Sequence, residues 1–97
     1  MQNTQMRELF EYVKAYTKML GLNYDTHCLL KAVNIGIRVA EIATIANFDY
    51  GYLKFSIRYY PITEGLRVGI YTDDKNDDLV NFYSSGDNFS IEIIKRK

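Results

Sequence analysis

Residues 26–47 read THCLLKAVNIGIRVAEIATIAN, and this stretch admits two periods between which the fold is decided. Taken at helical spacing, His27, Lys31, Asn34, Arg38 and Glu41 step by four, three, four and three, which draws one narrow polar stripe along an otherwise apolar cylinder. Ala32, Ala40, Ala43 and Ala46, four of the five alanines in the chain, lie in the same stretch and favour a helix. Taken as a strand, Val33, Ile35, Ile37 and Val39 alternate with Asn34, Gly36 and Arg38. Gly36 also speaks against a helix interior, where it costs about 1 kcal/mol. The polar stripe and the alanines carry more weight, so a long, mostly buried helix is expected over 26–47, with Asp25 or Thr26 as its N-cap.

On the N-terminal side, Met6, Leu9, Phe10, Val13, Tyr16 and Leu20 recur at three- and four-residue steps, which predicts an amphipathic helix over 4–20. Asn3 or Thr4 suits its start, and Gly21 suits a left-handed C-terminal cap. On the C-terminal side the period changes to two. From 52 to 60, Leu53, Phe55, Ile57 and Tyr59 face one way while Tyr52, Lys54, Ser56, Arg58 and Tyr60 face the other. Pro61 ends that strand and a turn over 62–65 follows. Leu66, Val68 and Ile70 then alternate with Arg67, Gly69 and Tyr71. A loop over 73–78, a short strand or helical turn over 79–83, a turn over 84–87 and a last strand over 89–94, with Ile91 and Ile93 turned to the core, complete the chain. The expected architecture is a single α+β domain over 1–97. Two N-terminal helices pack on one face of a three- or four-stranded antiparallel sheet and leave the other face open.

Composition narrows the classes. In 97 residues, 12 basic side chains balance 12 acidic ones, which argues against a protein held to duplex nucleic acid by a global positive field. No apolar run approaches the roughly 18 residues of a bilayer span, and the first residues do not resemble a signal peptide. A soluble, cytoplasmic protein with no membrane segment is therefore expected. One cysteine and one histidine cannot make a disulfide or a Cys/His zinc site. Phe, Tyr, Met, Ile, Asn and Lys number 41 against 17 for Gly, Ala, Arg and Pro, a bias towards AT-rich codons shared by many viruses and mobile elements and by many cellular organisms.

The open face is the most informative feature. Pairing the strands at 52–60 and 66–71 brings Tyr52, Lys54, Arg58, Tyr60, Arg67 and Tyr71 onto one outward surface. Tyrosine and arginine dominate binding hot spots because they offer large contact area and directed hydrogen bonds at low entropic cost. The same residues could stack unpaired bases and hold phosphates, although the residues that mark sheet-face RNA binders are missing.

Asp73, Asp74, Asp77 and Asp78 form an acidic loop. Asp74, Asn76 and Asp78 have the spacing that opens a calcium loop, but Leu79 replaces the required glycine and Ser85 stands where the closing glutamate belongs, so no metal site is expected. The loop suits a solvated turn or an electrostatic contact with a basic partner. His27 and Cys28 are neighbours about 100° apart on a helix and do not make a catalytic pair. A buried Cys28 with His27 on the polar stripe is expected instead. No phosphate-loop, dinucleotide-binding or hydrolase pattern occurs. Lys95, Arg96 and Lys97 form a basic tail.

These features predict a small non-enzymatic module without cofactor. It would bind another protein through the Tyr/Arg face and the acidic loop, as an inhibitor or regulator encoded by a virus or mobile element would. The alternative is a single-stranded nucleic-acid binder using the same face, and a magnesium-dependent nuclease on the acidic loop stands third. Homodimerisation through the open face or a sheet edge is compatible with each.

Overall fold

The computed structural model describes residues 3–96, in the order α1 (Asn3–Met19), α2 (Thr26–Ala43), β1 (Ile45–Tyr50), β2 (Leu53–Tyr60), β3 (Gly65–Tyr71), β4 (Leu79–Ser85) and β5 (Asn88–Ile94). The strands form one antiparallel sheet in sequence order, β1-β2-β3-β4-β5, a meander whose free edges are β1 and β5. The sheet thus has five strands rather than three or four, and the two helices cover one of its faces.

The extra strand comes out of the stretch assigned to the second helix. Asp25 caps α2, its side chain accepting the Cys28 N–H at 2.9 Å. The helix stops at Ala43, four residues before 47. Thr44 takes a left-handed backbone conformation (φ 69°), and its N–H closes the last turn on the Ala40 carbonyl at 2.7 Å. Its carbonyl then accepts the Tyr59 N–H at 2.8 Å, so the chain leaves the helix directly into pairing with β2. Ala43, Ala46 and Ile45 between them suit a helix locally; the hydrogen bonds of a neighbouring strand outweigh that preference.

Nor is α2 mostly buried. Leu29, Val33, Gly36, Ile37 and Ala40 meet the sheet, whereas Ile35, Val39 and Ile42 are 54%, 45% and 89% exposed. A helix lying on a sheet can bury only the stripe that touches it, and this one carries more apolar residues than that stripe holds. Gly36 marks the contact. A methyl group built there would run into the Phe48 ring and lie 3.0 Å from Ile57 Cδ1, so the glycine that disfavours the helix locally is what lets the helix backbone sit on β1 and β2.

The first helix is as the spacing predicts. Leu9, Val13 and Tyr16 are buried, with Met6, Phe10 and Leu20 packed around them. The cap assigned to the Asn3 side chain lies outside the described residues. Buried Gln5 ties α1 to the far hairpin: Ser84 Oγ donates to its Oε1 at 2.7 Å, and its Nε2 donates to the Gly86 carbonyl at 2.9 Å. Tyr12 meets Phe82 edge-on at 5.0 Å between centroids. The core joins these helical residues to Leu53, Phe55, Ile57, Leu66, Val68, Ile70, Val80 and Phe82. Segment 79–83 is strand, and the following turn narrows to Gly86 and Asp87. Ile91 and Ile93 pair with core residues Phe82 and Val80 on the helix side, yet stay exposed at the β5 edge.

Candidate partner-binding face

Because side chains alternate across a strand, register alone decides who meets whom on the uncovered side. Arg58 of β2 lies directly opposite Arg67 of β3, and Arg67 opposite Tyr83 of β4. Tyr60, two residues along from Arg58 on the same face, puts its ring under that guanidinium at 5.5 Å from centroid to Cζ. Five of the six residues expected on this face therefore stand on it with Tyr83 added: Arg58, Tyr60 and Arg67 at one end, Lys54 and Tyr71, themselves cross-strand partners, at the other. Tyr52 does not join them through a strand. It sits with Gly51 in the turn between β1 and β2, its N–H donating to Tyr24 Oη at 2.6 Å. Tyr83 escaped the sequence reading because 79–83 fitted either strand or helical turn; the alternation of Val80 and Phe82 with Asn81 and Tyr83 is the signal that finds it.

The two ends differ in charge. Lys54 lies between Asp49 at 3.2 Å and Asp73 at 3.8 Å, and the hydrogen bond it donates to Asp49 raises its pKa. Tyr71 lies under the Arg96 guanidinium at 6.0 Å. At the other end, Arg58 and Arg67 form no ion pair or hydrogen bond among the described residues, and Arg67 Nε is shut off from water with no acceptor. Gly65 and Gly69 flank Arg67 on the same face of β3, so no side chain of that strand projects beside the guanidinium. Tyr60 and Tyr83 wall a depression of about 220 Å³ over Gly65, with Thr63, Asn88 and Ser90 around it. Partial burial, followed by nearby Glu92, pushes the Tyr83 phenol above its usual pKa. Glu92 is held on this face by Tyr83 Oη at 3.2 Å and Asn81 Nδ2 at 3.3 Å.

The acidic loop is tied to the body of the protein. Thr72 Oγ1 donates to Asp77 Oδ2 at 2.6 Å, the Asn76 N–H donates to Asp74 Oδ1 at 2.9 Å, and Tyr16 Oη donates to the Asp78 carbonyl at 2.6 Å. The basic tail closes over it: Lys95 pairs with Asp78 at 2.8 Å, and Arg96 donates to the carbonyls of Thr72, Asp74 and Asp77. Lys97 lies outside the described residues. The loop's charges are therefore largely answered within the chain, with Asp73 the most outlying, its carboxylate 81% exposed. No group of three or more His, Cys, Asp or Glu is arranged to hold a metal ion among the described residues.

Cys28 is exposed, not buried as expected, because it falls on the side of α2 turned away from the sheet. Asp25 beside it pushes the thiol pKa up, away from the thiolate a nucleophile needs. On that outer side Ile35, Val39 and Ala32 border an apolar groove of about 540 Å³ against Ile45 and Phe48 of edge strand β1. Among the described residues no helix is long and apolar enough to cross a membrane.

No family model, no curated protein and no solved structure matches this chain.

Proposed function

We propose that the protein is a non-enzymatic module that binds another protein stoichiometrically through the end of the open face built from Arg58, Tyr60, Arg67 and Tyr83, and so inhibits or regulates it. One observation carries this reading: two arginines stand opposite each other across strands, flanked by two tyrosine rings, with no carboxylate among the described residues paired to either. Folding keeps such an arrangement at a cost, and a partner that supplies the missing acceptors recovers it. The neutral net charge and the internally tied acidic loop fit a surface meant for a protein.

The test is affinity capture from cells of the source organism, with wild type and the Arg58→Ala/Tyr60→Ala variant as baits. Proteins retained by the first and lost by the second, in one-to-one ratio, are the expected outcome; a protein set unchanged by the substitutions refutes the use of this face. The second reading is single-stranded nucleic acid on the same residues, favoured by the stacking of Arg58 on Tyr60. Fluorescence anisotropy with labelled oligonucleotides separates the two, since nucleic-acid binding weakens steeply with salt as counterions are released.

A further inference from the structure

We infer that Arg58 and Arg67 together form a receptor for one carboxylate of an acidic side chain on the partner protein, an assignment that rests on the proposed use of the open face. The two guanidiniums belong to directly opposed residues. Like charges so placed repel unless a counter-charge lies between them, and the described residues supply none. Arg67 Nε is already desolvated without an acceptor, which leaves the guanidinium's charge unanswered, and a carboxylate meets it with a charge-assisted hydrogen bond through the remaining N–H groups. The depression between Tyr60 and Tyr83 next to the pair accommodates the rest of the acidic residue or its chain neighbour.

A carboxylate on a protein suits this face better than the phosphates of a nucleic acid. Glu92 shares the sheet surface, and Asp49 and Asp73 surround Lys54 at its far end. A polyanion laid across the strands would run its further charges onto these carboxylates, whereas a single carboxylate meets only the two arginines. Within the chain's own acidic loop, Asp77 and Asp78 are held by Thr72 and Lys95, and Asp73 faces Lys54 at 3.8 Å.

The experiment is an NMR titration of the full chain, following the side-chain Nε–Hε signals of Arg58 and Arg67. The probes are a blocked Gly-Glu-Gly peptide, its Gly-Gln-Gly counterpart and a short oligothymidylate, all at matched ionic strength. Both arginine signals should move saturably with the glutamate peptide and not with the glutamine one, and Arg58→Ala should weaken the effect roughly tenfold. Unmoved signals, or equal responses to both peptides, overturn the assignment. Oligothymidylate binding roughly tenfold tighter than the glutamate peptide overturns it in favour of phosphate. Affinity capture with Tyr60→Ala and with Arg58→Ala/Arg67→Ala separates this inference from the reading beneath it. Partners lost only with Tyr60→Ala refute the carboxylate receptor and leave the face standing; partners kept by both variants refute both.

Discussion

The two faces of the sheet are built from the same three central strands and obey opposite rules. Towards the helices, Phe55, Ile57, Val68, Ile70 and Phe82 are each almost wholly shut off from water within one hydrophobic cluster. Away from them, the residues one step along, Arg58, Arg67 and Tyr83, face each other with an unanswered donor among them. One face is satisfied by folding and the other is not, which separates the residues that hold the protein together from those kept for contact.

Four substitutions sharpen or break that contrast, measured by urea unfolding. The largest effect belongs to the covered face: Phe82→Ala removes a ring packed against Tyr12 and should destabilise the fold by about 3 to 5 kcal/mol. A loss below about 1 kcal/mol would show that the core can collapse around the gap. Next, Gly36→Ala should cost about 1 to 3 kcal/mol despite alanine's better helix propensity, because the new methyl group meets Phe48. Trimming the ring with Phe48→Leu should restore part of it, and independent, additive effects would remove this close approach as the cause.

Tyr16→Phe comes third, at about 1 kcal/mol near neutral pH, for the hydrogen bond to the Asp78 carbonyl. The same residue governs alkaline stability. Burial, followed by the negative charge of Asp77, pushes its phenol from 10.0 up to about 12. A raised pKa means that the folded state favours the protonated phenol, so this contribution is whole below pH 10 and disappears as pH rises towards 12. Tyr50 and Tyr83 are raised as well and act in the same direction, so the readout is the difference between wild type and Tyr16→Phe, which should shrink through that window. A constant difference from pH 8 to 12 would dissociate Tyr16 from the alkaline transition. The smallest effect is expected on the open face: Arg67→Ala should change stability by less than about 0.5 kcal/mol, or raise it slightly, since it relieves repulsion with Arg58. A loss above about 2 kcal/mol would make Arg67 a structural residue and erase the contrast between the faces.

Most of the covered face was legible in the sequence. The stripe of α1 and the alternation in β2 and β3 depend on residues a few positions apart, and both appear in the structure as read. The failures lie where neighbours distant in the chain decide. Residues 45–47 look helical on their own, and only pairing with β2 makes them strand. Cys28 and Ile35 look like core residues until the position of the sheet shows which side of α2 it touches. The acidic loop reads as free charge because Lys95 and Arg96, which close over it, come nearly twenty residues later.

By itself the sequence determined α1, the start of α2, the strands β2, β3 and β5, and which cations and rings of β2 and β3 share a face, because helical and strand periods are local properties of the chain. The tertiary structure alone decided where α2 stops, that Arg58 is set against Arg67, and that Tyr83 completes their surroundings. Register is set by core residues packing across strands, and a shift of one residue would turn every side chain of a strand to the other face, so no local pattern specifies it.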